Sequence, residues 1–162
     1  MLACLLLTLS YSALADPNER QMIELEAQAF MERYLNVYNR RFGHPERGEQ
    51  FRKELGELVG MPLLVSPPTS KPRVPPSLEA FTKNFEGFVR MLDSKQVVRL
   101  EWERLNLQVL TRNKVLANNI GHGYNEAGEL VYETVSLYLL YRDDDEGEWR
   151  IVLFSPYDIE NA

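Results

Sequence analysis

The stretch VVRLEWERLNLQVLTRNKVLANNIGHGYNEAGELVYETVSLYLLYRDDDEGEWRIVLFSPY, Val97 to Tyr157, decides the fold. It reads as four long β-strands, Val97 to Leu110, Lys114 to Tyr124, Glu129 to Arg142 and Glu148 to Tyr157, joined by three tight polar turns where Asn, Asp and Gly concentrate. In the first strand Val98, Leu100 and Trp102 share one parity, and Leu105, Leu107 and Val109 share the other. Strand side chains alternate with period two, so this slip predicts a β-bulge near Glu103-Arg104, which restores the inward face and bends a strongly curved sheet. Asn125-Glu126-Ala127-Gly128 reads as a hairpin turn with Gly128 in the left-handed position. The third strand divides into Val131, Val135, Leu137, Leu139 and Tyr141 on one face and Tyr132, Thr134, Ser136, Tyr138 and Leu140 on the other. Both faces are semi-apolar, so one is expected to cover helices and the other to meet a partner subunit or line a cavity.

Working outward, Ser77 follows Pro75-Pro76 as an N-cap, and a helix is predicted to about Asp93 with Leu78, Phe81, Phe85, Phe88, Val89 and Leu92 on one stripe. Three phenylalanines on one face need a large apolar partner, which the sheet supplies. From Pro17 to about Phe42, Ile23, Ala27, Phe30, Tyr34 and Val37 recur at helical spacing, with Gly43 as a C-terminal cap. A shorter helix is predicted from about Arg47 to Val59, before Gly60. Residues 61–76 hold six of the nine prolines, which predicts a stiff loop, rimming a cavity, in which only Leu63-Leu64-Val65 forms a short strand.

The chain of 162 residues carries a net charge of -6. Its averaged field repels phosphate backbones and no basic stripe compensates, so nucleic-acid binding is not expected. Asp143-Asp144-Asp145-Glu146 lacks the alternating ligands of a calcium loop and reads as a solvated hairpin turn. The two histidines, His44 and His122, are far apart in sequence, so no metal site and no cofactor is predicted. No G-x-S-x-G elbow and no glycine-rich phosphate loop is present.

Residues 2–15 carry no charge and end in Ala13-Leu14-Ala15, which predicts a signal peptide over residues 1–15 and a periplasmic or secreted domain over 16–162. The run is too short to span a bilayer, so no stable membrane span is expected in the mature chain. A positive n-region is missing, and a buried N-terminal helix is the alternative reading. Asp16-Pro17-Asn18-Glu19 is a fresh helix start, and Cys4, the single cysteine, falls within the leader.

The tyrosine-rich segment Glu32-Arg33-Tyr34-Leu35-Asn36-Val37-Tyr38-Asn39, the order helix, helix, short strand, helix, meander, and the closing Gly147-Glu148-Trp149-Arg150-Ile151 resemble the nuclear transport factor 2-like superfamily, nearest its SnoaL-like branch, over residues 19–158. The resemblance implies an α+β cone, about three helices on a strongly curved antiparallel sheet, around a pocket. That superfamily hosts isomerases, cyclases, carriers and association domains, so the fold does not select an activity. Ketosteroid isomerase carries an oxyanion-binding tyrosine in its first helix, and Tyr34 matches that position. Its base is an aspartate on the short strand, whereas Met61-Pro62-Leu63-Leu64-Val65 has no carboxylate. Tyr34 therefore reads as a core residue whose hydroxyl finds a partner. SnoaL-type cyclases use histidine within the cone, which raises His122; a structural or exposed histidine is the other reading.

The expectation is thus an exported domain that binds a small apolar ligand in its cone or self-associates as a homodimer through the sheet, without catalysis. The expected pocket residues are Tyr34, Tyr38, Phe81, Phe85, Trp102 and His122. The alternative is a SnoaL-like cyclase or isomerase doing acid/base chemistry with His122 and Tyr34.

Overall fold

The structure is a computed structural model and describes residues 16–145 and 147–157. The leader reading lies on residues 1–15, outside the described residues.

Helix α1 spans Pro17–Asn39, with the Asp16 carboxylate accepting from the Asn18 amide at 3.1 Å and Pro17 at the first helical position. Its buried face is Ile23, Ala27, Phe30, Met31, Tyr34, Leu35, Val37 and Tyr38, the expected stripe widened by its neighbours. The helix stops at Asn39, short of the predicted Phe42, and Gly43 takes φ +69 in the turn beyond it. A 3₁₀ turn, Pro45–Arg47, leads into α2, Gly48–Glu57.

Strand β1, Val59–Val65, starts where the sequence pattern extended the second helix, so Gly60 is a strand residue and not a helix cap. Parallel pairing with the last strand outweighs local helical periodicity here: Val59 is in register with Ile151, and the Ile151 amide donates to the Leu58 carbonyl at 2.9 Å. Helix α3, Leu78–Ser94, begins at the predicted cap, the Ser77 hydroxyl accepting from the Ala80 amide at 3.1 Å.

The meander follows as β2 (Arg99–Thr111), β3 (Lys114–Tyr124), β4 (Leu130–Tyr141) and β5 (Arg150–Tyr157). Sheet order is β1-β5-β4-β3-β2, antiparallel except for β1 with β5. Trp102 pairs with Gly121 and Arg104 with Ile120, so Glu103 is the extra residue of a bulge. That bulge keeps Leu100, Trp102, Leu105, Leu107 and Val109 together as buried or half-buried residues against the core. Gly128 closes the β3–β4 hairpin at φ +79.

The core lies between α1 and the concave face of the sheet. At the free edge of β2, the Asn39 side chain takes the place of a neighbouring strand: its Oδ1 accepts from Leu100 N at 2.8 Å and its Nδ2 donates to Leu100 O at 3.0 Å. Buried Arg41 at the end of α1 reaches Asp93 on α3 at 3.3 Å and ties together the helices that flank the cone. Among the described residues, no helix is long and apolar enough to cross a membrane.

Candidate functional site: the aromatic cone

Three tyrosines meet at the cone's floor. Tyr34 and Tyr38 stand one helical turn apart on α1, and Tyr138 faces them from β4. The Tyr34 hydroxyl lies 2.7 Å from that of Tyr38 and 3.4 Å from that of Tyr138. The rings pack edge-on, with centroids 5.1 and 5.5 Å from Tyr34. All three are buried. Burial pushes each hydroxyl well above the usual tyrosine pKa, and the neighbouring phenols add to the effect, so the cluster is a set of neutral donors at physiological pH.

Beside this floor is a cavity of about 40 Å³. Rings Phe85 and Phe88 of α3, Trp102 of β2, Tyr132 of β4 and Phe154 of β5 line it, together with Leu35, Leu100, Gly121, Thr134 and Ser136. Phe85 meets Phe154 at 5.3 Å and Phe88 meets Tyr132 at 6.2 Å, so α3 reaches the sheet here through ring contacts. These five rings are half-buried and form the cone's mouth. No lining side chain is a carboxylate, an amine, a guanidinium or an imidazole.

Glycine on β3 is what makes room. A Cβ at position 121 would come within 3.2 Å of Thr134 Cγ2 and 3.5 Å of Trp102 Cζ3. The inward positions of β3 are Val115, Ala117, Asn119, Gly121 and Gly123, small because large rings from α1, β2 and β4 fill the space opposite.

Of the residues expected at the pocket, Tyr34, Tyr38, Phe85 and Trp102 surround this cavity. Phe81 does not; it is buried against Phe85, with centroids 4.5 Å apart, in the layer behind the mouth. His122 does not either. Strand alternation turns it to the opposite face of the sheet from Gly121, where its Nε2 lies 2.9 Å from Glu133 and its Nδ1 3.7 Å from the bulge residue Glu103. The Tyr124 hydroxyl lies 3.4 Å from the same Nδ1. His122 and Tyr34 are therefore on different sides of the sheet and cannot act on one molecule. The proline-rich segment 61–76, expected to rim the cavity, does not line it. Tyr132, Ser136, Tyr138 and Phe154 are lining residues that sequence reasoning left unassigned. The signal for three of them was the Tyr132/Thr134/Ser136/Tyr138 parity set, a face whose direction the strand alone does not settle.

A larger cleft of about 620 Å³ lies among the loops near Gly43, Asp93, Gln96 and Asn125, outside the cone. Asp93 there is engaged by Arg41. Among the described residues, no group of three or more His, Cys, Asp and Glu side chains is arranged to hold a metal ion.

Helices laid on a bent mixed sheet around an aromatic hollow define the nuclear transport factor 2-like class of α+β cones. The chain belongs to the family described as NTF2-like protein (DUF6841), whose model matches residues 24–159. Solved structures agree at the level of fold. An NTF-2 like protein of unknown function from Shewanella oneidensis is 12% identical, with 83% of this chain and 98% of that chain covered and a TM-score of 0.60. A protein from Catenulispora acidiphila, solved in complex with S-DNPA, is 13% identical over 87% of this chain and 96% of its own, with a TM-score of 0.60. A candidate ketosteroid isomerase from Shewanella frigidimarina is 11% identical over 83% and 96%, with a TM-score of 0.55. Comparison with the curated proteins found no match.

Proposed function

We propose that this chain is an exported, non-catalytic binding domain that holds a small, mainly apolar molecule in its cone. The observation that carries this reading is the floor of neutral tyrosine hydroxyls beneath a half-exposed mouth of five rings. Proton abstraction needs a positioned base, and the lining offers hydroxyls and rings in place of one. A similarly folded protein solved in complex with S-DNPA supports a binding role by analogy of fold alone. Export rests on the uncharged run that ends in Ala13-Leu14-Ala15. It fails if mass spectrometry of the protein from its native host finds Met1 retained.

The binding reading is tested by an NMR titration of the protein with cumene and acetophenone. Saturable shifts confined to Phe85, Phe88, Trp102 and their neighbours are expected, and Thr134→Phe, which fills the cavity from β4, should abolish them. Shifts that persist in Thr134→Phe, or no saturation by either probe at millimolar concentration, would overturn it.

A second reading, self-association through the sheet, is favoured by the convex face, where Leu116, Ile120, Leu137, Leu139 and Leu153 are half-buried and contiguous in register.

A further inference from the structure

The hydrogen-bonding inventory around the cone is unbalanced. Three tyrosine hydroxyls share two contacts, so whichever way they point, one O–H proton has no partner within the trio. The Trp102 indole Nε1, which can only donate, is buried with no partner. Asn119 is 1% exposed, and neither its Nδ2 nor its Oδ1 is paired. It lies directly across from Ser136 of the cavity lining, on the same inward face of the sheet. Buried polar groups in folded proteins are paired in the great majority of cases, so unpaired donors clustered at one hollow point to a missing acceptor.

Charge and size narrow what that acceptor belongs to. A carboxylate or ammonium guest would be buried without a counter-charge, since no lining side chain is ionised at neutral pH. The cavity of about 40 Å³ takes the equivalent of about one to three waters. It therefore admits the end of a molecule, with the remainder left among the rings at the mouth.

We propose that the cone selects an uncharged molecule with a hydrogen-bond-accepting oxygen, such as a ketone, whose polar end enters beside Trp102 and whose apolar body lies between Phe85, Phe88 and Phe154. This rests on the binding reading above and adds the chemical class of the guest. The Trp102 N–H and the Asn119 amide discriminate, because with an oxygen-free guest both stay unpaired.

Isothermal titration of the full chain with acetophenone, with cumene, which has nearly the same shape but no oxygen, and with benzoate tests the class. Acetophenone should bind about tenfold more tightly than cumene, the effect of one buried donor satisfied or left bare. Benzoate should give no measurable heat. Trp102→Phe, checked for folding by circular dichroism, should lower acetophenone affinity several-fold and leave cumene unchanged. Equal affinity for cumene and acetophenone, or tightest binding of benzoate, would overturn the class while leaving the binding reading intact. No saturable binding by any of the three would overturn both. The comparison of probes on the unmodified chain decides the matter even if the Trp102 variant fails to fold.

Discussion

Tyr34 shows how a single side chain carries two readings until its neighbours are known. Its place in the first helix matched an oxyanion-binding tyrosine, and its helical spacing matched a core residue. The structure gives it both a buried ring and hydroxyl partners on α1 and β4. Burial raises the Tyr34, Tyr38 and Tyr138 pKa values above the ordinary value near 10. At pH above about 10 the unfolded chain releases these protons while the folded chain keeps them, so unfolding is favoured as pH rises. The stability that depends on the neutral trio is fully present below pH of about 10 and is lost as the pH climbs toward the raised folded values. Urea melts across pH 8 to 11.5 should therefore show a plateau and then a fall. Tyr38→Phe, which removes one of the titrating groups, should make that fall shallower. An equally steep fall in the variant would mean that other groups drive alkaline unfolding.

At the scale of the element, the bulge in β2 was legible and the facing of β3 was not, for related reasons. Two apolar runs of opposite parity separated by Glu103-Arg104 fit one strand only if an extra residue intervenes, and Glu103 is that residue. In β3 the larger side chains Leu116, Ile120, His122 and Tyr124 face outward, and the small ones face the core. Hydrophobicity alone therefore points the wrong way. What fixes the strand is space, because Trp102 and Tyr132 occupy the volume above Gly121 and Gly123; a Cβ at 123 would lie 3.0 Å from Tyr132 Cβ. Sequence order did not place those rings over the glycines, so His122 could be read as facing the cone. The bulge has a sharp consequence. Deleting Glu103 would shift positions 104–111 by one and turn Leu105, Leu107 and Val109 to solvent. Exposing three such side chains forfeits about 1.5–3 kcal/mol each, comparable with the whole stability of a domain. The deletion should be insoluble or molten by near-UV circular dichroism, whereas Glu103→Ala, which keeps the count, should melt within about 1 kcal/mol of the parent. A cooperatively folded deletion variant would show that the bulge does not set the register.

For the molecule as a whole, the two faces of the sheet have different fates. The concave face is occupied by α1 and the aromatic cone, while the convex face carries Leu116, Ile120, Leu137, Leu139 and Leu153 without a covering element in the chain. At one end of that face His122 lies among Glu103, Glu133 and Tyr124, a polar border to an apolar centre. A standard interface needs about 800 Å² from each partner, under a tenth of the 10633 Å² surface of this chain. An apolar centre with a polar border suits a two-fold contact, in which each leucine patch meets its copy. The chain's net charge of -6 opposes close approach of two copies, so added salt should strengthen such a dimer by screening the repulsion. Sedimentation equilibrium at micromolar concentration should thus give a dimer that tightens from low to physiological salt. Leu137→Glu, which buries two unpaired carboxylates across the axis, should give a folded monomer with an unchanged circular dichroism spectrum. A wild-type monomer at those concentrations, or a Leu137→Glu dimer as tight as the parent, would mean that the convex face does not carry self-association and that the cone is the chain's one binding surface.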